Sequence, residues 1–288
     1  MSTIAFIGAG NMASSLIGGW FAAGKNDGER RVRVADINEE QLQRLQQQFQ
    51  GNALDTMTSN AQAVADADLV VIAVKPDIVQ SVCQGIGAEI KSATPVVSVA
   101  AGVRCDDMKR WLAEAGNNHQ GQSGDLPIVV RCMPNTPSLL GAGITGLYAD
   151  KQCPEEMKEL AGSVLSAVGE VVWVSEESQL DAVTAVSGSG PAYFFYMMEC
   201  MSQAGIDLGL TPDAAKKLAI ETAYGAALMA RNGDLPPADL RKNVTSKGGT
   251  TAAALASFEA DGFNELIGRG MQAARDRAIA MADEFGNE

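Results

Sequence analysis

Near the start of the chain, Ile4-Ala5-Phe6-Ile7-Gly8-Ala9-Gly10-Asn11-Met12-Ala13 runs from an apolar β-type stretch through a tight glycine turn into a helical pattern over residues 14–23. A strand that feeds straight into a helix commits the two to pack on one another, and so to a sheet covered by helices. Gly8 permits the turn, and Gly10 lets the backbone come close to a ligand. The free amides and positive end of the helix favour a negative charge there. Strand, phosphate loop and helix N-terminus are the layout that the pyrophosphate of a dinucleotide needs. Ala13 stands where a third small residue lets helix and strand approach closely. The competing reading is an ordinary tight βα turn; the position between strand and helix favours the nucleotide site.

The first half of the chain continues in this alternation. Residues 32–35 read as a second strand, 39–50 as a helix, and Leu69-Val70-Val71-Ile72-Ala73-Val74 as a buried strand, with further strands at 95–99, 128–132 and 171–174. Continuous apolar strands separated by helices imply a parallel sheet covered on both faces. From Ser187 onward the β signal stops. Residues 193–205, 212–231, 250–260 and 264–284 read as helices, with Thr211 as N-cap and Pro212 in the first turn of the second. The small residues Ala219, Ala223, Ala226, Ala227 and Ala230 allow other helices to approach that one. The expected architecture is α/β: a doubly wound dinucleotide-binding domain over 1–175, then an all-α domain over 176–288. The run Tyr193-Phe194-Phe195-Tyr196-Met197-Met198 is apolar nearly all round its helix and demands burial, in a bundle or against another subunit. The second is the expectation.

Composition excludes several classes. The chain has 288 residues, enough for two ordinary domains, and 22 Lys and Arg against 35 Asp and Glu give a net charge of −13. That balance, with no basic stripe, argues against nucleic-acid binding. No apolar run approaches the roughly 20 residues that span a bilayer. A strand at the very N-terminus leaves no room for a signal peptide. The five cysteines are scattered with no Cys-x-x-Cys pair, and His119 is the single histidine, which argues against a zinc site. Reduced thiols in a cytoplasm are the simplest account. His119 lies in the polar stretch 116–125, read as a surface loop with a solvated histidine.

Four further features could carry chemistry. Asp36 follows the second strand, where a carboxylate can accept from an adenosine ribose and repel a 2′-phosphate; it could equally cap the helix starting near Glu39. Ala73-Val74-Lys75-Pro76 ends a core strand, so Lys75 is either near a cofactor or an ordinary surface lysine. Val99-Ala100-Ala101-Gly102 and Met133-Pro134-Asn135-Thr136-Pro137 close two more strands, the first with small residues and the second with a proline-held turn. In the helical half, Val244-Thr245-Ser246-Lys247-Gly248-Gly249-Thr250-Thr251 opens a helix with glycines and hydroxyls. That is either a pocket for a small carboxylate or an ordinary capped helix. Ser187-Gly188-Ser189-Gly190-Pro191-Ala192 reads by itself as a linker and a proline helix start.

These segments, together with Leu240-Arg241-Lys242-Asn243 before the last-named helix start, occur together and in order. The chain resembles the pyrroline-5-carboxylate reductases over nearly its whole length; the segment ending at Thr251 is the most specific. The resemblance implies reduction of 1-pyrroline-5-carboxylate to L-proline with NADPH or NADH, and homodimers that assemble further into decamers. It implies cofactor contacts from Ile7, Gly8, Ala9, Gly10, Asn11, Met12, Asn60, Ala73, Val74, Lys75, Pro76, Val99, Ala100, Ala101 and Asn243. It places the substrate carboxylate on Gly249, Thr250 and Thr251, with the Thr251 hydroxyl near the ring nitrogen, and Glu177 on the substrate side. The loop at 116–125 is longer than is usual for such enzymes. A β-hydroxyacid dehydrogenase would need a lysine soon after the 187–190 segment, and none comes before Lys216. A non-enzymatic nucleotide sensor would not need the second, carboxylate-sized pocket.

Overall fold

The computed structural model describes residues 2–24, 30–91, 93–115 and 127–286. The stretch 116–125, with His119, lies outside them. The elements in order are β1 (Ser2–Ile7), α1 (Asn11–Ala23), β2 (Arg30–Ala35), α2 (Glu39–Gln48), β3 (Leu54–Met57), α3 (Asn60–Val64), β4 (Leu69–Ile72), α4 (Val79–Ile86), β5 (Val96–Ser98), α5 (Cys105–Ala115), β6 (Val129–Met133), β7 (Gly143–Ala149), α6 (Glu155–Ser166), β8 (Gly169–Trp173) and α7 (Gln179–Val183). The helices α8 (Gly190–Asp207), α9 (Pro212–Asn232), α10 (Pro237–Asn243), α11 (Thr250–Ala260) and α12 (Phe263–Gly286) follow. The chain divides into two compact units, 1–188 with 274–288, and 189–273.

In the first unit the strand order is β3-β2-β1-β4-β5-β6-β7-β8. The first six strands are parallel, the order of a doubly wound dinucleotide-binding sheet. Alternation along β1 explains the two layers. Ile4 and Phe6 face one core, with Leu16, Ile17 and Trp20 of α1 and Val164 and Leu165 of α6. Ala5 and Ile7 face the other, with Val79, Val82 and Ile86 of α4 and Met108, Trp111 and Leu112 of α5. Ala13 is fully buried in the first core, as its place after the glycine turn requires.

The sheet departs from the all-parallel expectation at its far end. β7 runs antiparallel to β6, and β8 parallel to β7. β7 was not legible as a strand because two of its seven residues are glycine. One is dictated by packing: a Cβ on Gly146 would lie 2.6 Å from Val183 Cγ1 of α7.

In the second unit α8 lies against α9, and a Cβ on Gly205 would come 3.1 Å from Ala215 Cβ. The start of α9 is as its sequence signals: Pro212 occupies the first turn and the Thr211 hydroxyl accepts from the Ala214 N–H at 3.4 Å. Of the small residues along α9, Ala219 is buried, together with Ala215. The apolar run of α8 is not covered by the described residues of its own unit. Phe194, Phe195 and Tyr196 are 66%, 64% and 67% exposed, and Leu218 and Tyr224 of α9 are exposed as well. Of the two burial modes open to that run, the intrachain bundle is the one this unit does not provide.

Candidate active site

The carboxyl ends of β1, β2, β3, β4 and β5 form one continuous rim. The Gly8 N–H donates to the Ala35 carbonyl (2.8 Å), Asp36 N–H to Met57 (3.3 Å), Ala73 N–H to Ile7 (2.8 Å) and Val99 N–H to Ile72 (3.1 Å). These bonds bring Ile7, Gly8, Ala9 and Gly10 together with Asp36, with Ala73 and Val74, and with Val99, Ala100 and Ala101. Asn11 and Met12 open α1 beside them. Ligands of open α/β sheets bind at such a rim.

The two glycines of the turn have different reasons to be there. Gly8 has φ +104°, and a Cβ on it would lie 2.5 Å from the Ala73 carbonyl oxygen and 3.0 Å from Val74 Cγ1. The fold itself demands glycine at this position. Gly10, the N-cap of α1, has φ −70° and ψ −177°, a backbone open to any residue, and no atom lies within 4 Å of where its Cβ would be. No side chain caps α1. The space over Gly10 and the first-turn amides beneath it suit a pyrophosphate.

Of the two roles open to Asp36, the helix cap belongs to another residue. Asn38 is the N-cap of α2, its Oδ1 accepting from the N–H groups of Glu40 (3.0 Å) and Gln41 (3.3 Å). The Asp36 carboxylate instead accepts from the Ala9 N–H of the glycine turn (2.6 Å) and from the Asn38 N–H (2.8 Å). It ties the turn to the end of β2, where a ribose would lie. Sequence reading missed Asn38, although an Asn just before Glu39 and Glu40 is a cap signature.

Asn60 is the first residue of α3, and the cap there is Ser59, whose hydroxyl accepts from the Gln62 N–H (3.3 Å). Lys75 is exposed, extended and without an ion pair among the described residues, and Pro76 follows it as the start of a short 3₁₀ turn, Pro76–Ile78. The Ala101-Gly102-Val103-Arg104 loop is backed by the end of α12. A Cβ on Gly102 would lie 3.3 Å from Met281 and Phe285, and Arg104 pairs with Asp283 at 2.6 Å.

Glu177 is not free on the rim. Its Oε1 accepts from the Cys105 N–H at the start of α5 (2.9 Å) and from the Arg131 guanidinium (3.0 Å). Arg131, on β6 and almost fully buried, also faces Asp181 Oδ1 at 3.6 Å, an ion pair too long for a hydrogen bond. Burial raises the Asp181 carboxyl above the usual carboxylate range, with Arg131 opposing. Burial and then Glu177 push the Cys105 thiol up, so that it is a neutral packing group. Beside them Lys109 pairs with Asp150, which also accepts from the Tyr148 hydroxyl (3.2 Å). This buried network was not legible in sequence, because its members are dispersed from Cys105 to Asp181.

In the second unit, Asn243 ends α10 and is exposed. A turn follows in which the Thr245 hydroxyl donates to the Arg241 carbonyl (2.6 Å) and the Gly249 N–H to Ser246 (3.0 Å). Gly248 has φ +74°, and Gly249 is the N-cap of α11 with no side chain bonded to the first-turn amides. Thr250 and Thr251 are the first two residues of that helix, the first exposed and the second half-buried. The capped-helix alternative therefore has no capping side chain.

Two family models match the chain. Residues 177–281 match the family model for pyrroline-5-carboxylate reductase dimerisation, and residues 3–102 the model for coenzyme F420-dependent NADP oxidoreductases. The pyrroline-5-carboxylate reductase of Pseudomonas aeruginosa is 47% identical, covering 99% of this chain and 100% of its own. That of Haemophilus influenzae is 40% identical, covering 98% of each. Among solved structures, a pyrroline-5-carboxylate reductase from Coxiella burnetii has a TM-score of 0.87 at 37% identity, over 98% of both chains. The Plasmodium falciparum pyrroline carboxylate reductase with NADP bound has a TM-score of 0.78 at 27% identity, again over 98% of both. The chain belongs to the pyrroline-5-carboxylate reductase family, and its activity is the NAD(P)H-dependent reduction of 1-pyrroline-5-carboxylate to L-proline.

Proposed function

We propose that each unit supplies one binding function for this reaction, the first holding the dinucleotide and the second the carboxylate of 1-pyrroline-5-carboxylate. The observation that carries this reading is shared by the two helix starts: α1 and α11 both begin on a glycine, and neither has a side chain on its first-turn amides. When bound, NAD(P)H supplies the hydride that reduces the C=N carbon. The α1 amides and Gly10 hold the pyrophosphate, Asp36 faces the adenosine ribose and opposes a 2′-phosphate, and Asn60, Lys75 and Pro76 line the rim between. Ala73, Val74, Val99, Ala100 and Ala101 offer small or apolar surface to the nicotinamide, and the family resemblance supports Asn243 as a further cofactor contact.

The Gly249, Thr250 and Thr251 amides bind the substrate carboxylate through charge-assisted hydrogen bonds and the helix-end potential. The Thr251 hydroxyl holds the ring nitrogen. A cyclic imine is basic enough to carry its own proton, so the chain need not supply a general acid. Its contribution is orientation, worth about 7–11 kcal/mol in favourable cases. Glu177 contributes through Arg131 and the α5 start rather than as a substrate ligand.

Thr251→Ala tests the pocket in the full-length protein. Nicotinamide oxidation in the presence of pyrroline-5-carboxylate should fall by roughly 100-fold in kcat/KM, with cofactor affinity unchanged. Wild-type kinetics in that variant would remove Thr251 from the mechanism. The exposed apolar faces of α8 and α9 are the surface of a homodimer, from which larger rings such as decamers are built. Among the described residues no helix is long and apolar enough to cross a membrane. The cysteines are all unpaired, and Cys83, Cys105, Cys132 and Cys153 are buried as thiols, which suits a reducing cytoplasm as the place where the enzyme works.

A further inference from the structure

The end of α12 supplies no group to either pocket, yet it packs within the first unit, which takes in residues 274–288. Ala278 and Ala282 are buried there, and Phe285 packs against the core that α4 and α5 share with the sheet. The segment it meets is the connection from β5 to α5. A Cβ on Gly102 would lie 3.3 Å from Met281 Cβ and from the Phe285 ring, so loop and helix are in direct contact. Arg104 pairs with Asp283 at 2.6 Å across 179 residues of sequence. On α5 itself, Arg110 donates to the Gly286 carbonyl (3.2 Å), and a Cβ on Gly286 would come 2.8 Å from Asp107 Oδ2.

The loop held in this way begins with Val99, Ala100 and Ala101. Both of its ends are fastened by hydrogen bonds. At the rim the Val99 N–H donates to the Ile72 carbonyl (3.1 Å) and the Ala100 N–H to the buried Ser98 hydroxyl (3.3 Å). At the far end the Cys105 N–H donates to Glu177 Oε1 (2.9 Å), which also accepts from Arg131. Between these ends the chain turns through Gly102, at φ +78°, and it is this turn that the end of α12 supports. Removing the support leaves both ends tied and frees the turn between them.

We propose that Met281, Asp283 and Phe285 are positioning residues for the hydride donor: they set the 101–104 turn, and through it the surface that Val99, Ala100 and Ala101 offer the nicotinamide. This rests on the reading of those three residues as the nicotinamide side of the rim. The adenosine and pyrophosphate are assigned to other parts of the rim, to Asp36, Gly10 and the α1 amides, so their binding does not depend on the turn. Misplacement of a reacting group by about 1 Å costs on the order of 100-fold in rate. The end of α12 therefore acts on the nicotinamide half of the cofactor and on turnover, and leaves the adenosine half alone.

The test compares full-length Phe285→Ala, Phe285→Leu, Arg104→Gln and Ala101→Leu with the wild type. The readouts are kcat, the melting temperature, and the Kd values of NADPH and of 2′-phospho-ADP-ribose, which keeps the adenosine and pyrophosphate but has no nicotinamide. Phe285→Ala should weaken NADPH by roughly 10-fold and lower kcat by roughly 10- to 100-fold, with 2′-phospho-ADP-ribose within about twofold of wild type. Phe285→Leu keeps an apolar side chain against Gly102 and should regain most of both losses. Equal weakening of the two ligands would show general damage to the unit and overturn the proposal. Wild-type kcat and NADPH affinity, with only the melting temperature lowered, would show that the end of α12 merely packs, and would overturn it too. Ala101→Leu separates the premise. Without a selective loss of NADPH there, the loop does not face the nicotinamide, and the proposal goes with that reading. A selective loss there, with none in the Phe285 variants, keeps the reading and removes the proposal alone. Should Phe285→Ala fail to fold, Arg104→Gln decides the matter, because it breaks an exposed ion pair that adds little to folding. It should show the same selective loss of NADPH, about threefold, and unchanged affinity for both ligands would then overturn the proposal.

Discussion

The contrast between Gly8 and Gly10 gives the sharpest test of where the dinucleotide sits. Alanine at position 10 meets no protein atom within 4 Å and adopts a φ of −70° and ψ of −177° without strain. Folding stability should hold within about 0.5 kcal/mol, or gain about 0.4–1 kcal/mol from reduced freedom of the unfolded chain. If the pyrophosphate lies on the α1 amides as proposed, the added methyl projects into the space it needs to reach them. Loss of one charge-assisted hydrogen bond is worth about 1.5–3 kcal/mol, which is roughly 10- to 100-fold in Kd. Gly8→Ala has the opposite signature. Its Cβ would lie 2.5 Å from the Ala73 carbonyl oxygen at a φ of +104°. The backbone conformation alone costs roughly 1–2 kcal/mol, and displacing the Ala73 carbonyl brings the total to about 3 kcal/mol or more. Thermal melting without nucleotide and calorimetric titration of NADPH and NADH separate the two. Gly10→Ala should melt with the wild type and bind weakly; Gly8→Ala should melt several degrees lower. Wild-type nucleotide affinity in Gly10→Ala would refute the placement of the pyrophosphate on α1, whatever Gly8→Ala does.

Two further substitutions divide roles that the sequence leaves merged. Asp36→Ser should raise the NADPH-to-NADH ratio of kcat/KM by roughly tenfold, since it removes an anion facing the 2′ position, while Asn38→Ala should leave that ratio alone and cost about 1 kcal/mol as a lost helix cap. An unchanged ratio in Asp36→Ser would leave Asp36 as a tie for the glycine turn only. Arg131→Met strips the half-buried Glu177 and the buried Asp181 carboxylates of their shared cation and should cost about 3 kcal/mol in denaturant unfolding. Asp181→Asn should cost less than about 1 kcal/mol, because burial already disfavours that carboxylate; equal costs for the two would mean that Arg131 does not hold the network.

The doubly wound half was legible because its strands are buried on both faces and therefore read as apolar runs: Leu69 to Ile72 is unbroken, and in β6 only Arg131 interrupts the run from Ile128 to Cys132. The strands that escaped notice lack that environment. β3 lies at the sheet edge with all four residues half-buried, so Asp55 and Thr56 interrupt any apolar run. In β7, packing against α7 selects glycine where strand propensity would select a branched residue. In the helical half, the apolar α8 was legible as a surface in need of a partner, since a run of Tyr, Phe and Met has to be covered by something. The polar framework was the least legible. Cys105, Arg131, Glu177 and Asp181 meet only because β6, α5 and α7 converge, and nothing in their spacing announces it.

Helix starts show why the site could be narrowed by sequence but resolved only by geometry. Serine, threonine, asparagine and glycine all favour the N-cap, so a polar or small residue before a helix says that the first-turn amides need an acceptor without saying which. At α2, α3 and α9 the acceptor is the chain's own: Asn38, Ser59 and Thr211. At α1 and α11 the cap is glycine, which offers no acceptor, and the residues that follow are those the sequence matched to a phosphate loop and a carboxylate pocket. A lone uncapped helix start is commonplace, because water can serve. What gives these two weight is a second fact at each. Gly10 is glycine without any protein contact to require it. Gly249 is reached through a turn in which Gly248, at positive φ, brings the chain round after Ser246 so that Thr250 and Thr251 open the helix. The amides of α2 could not serve a ligand without first displacing Asn38. Those of α1 and α11 are available at no such cost, as are those of α4, α6 and α10, so a free helix start permits a ligand and it is the second fact at each of the two that favours the proposed sites.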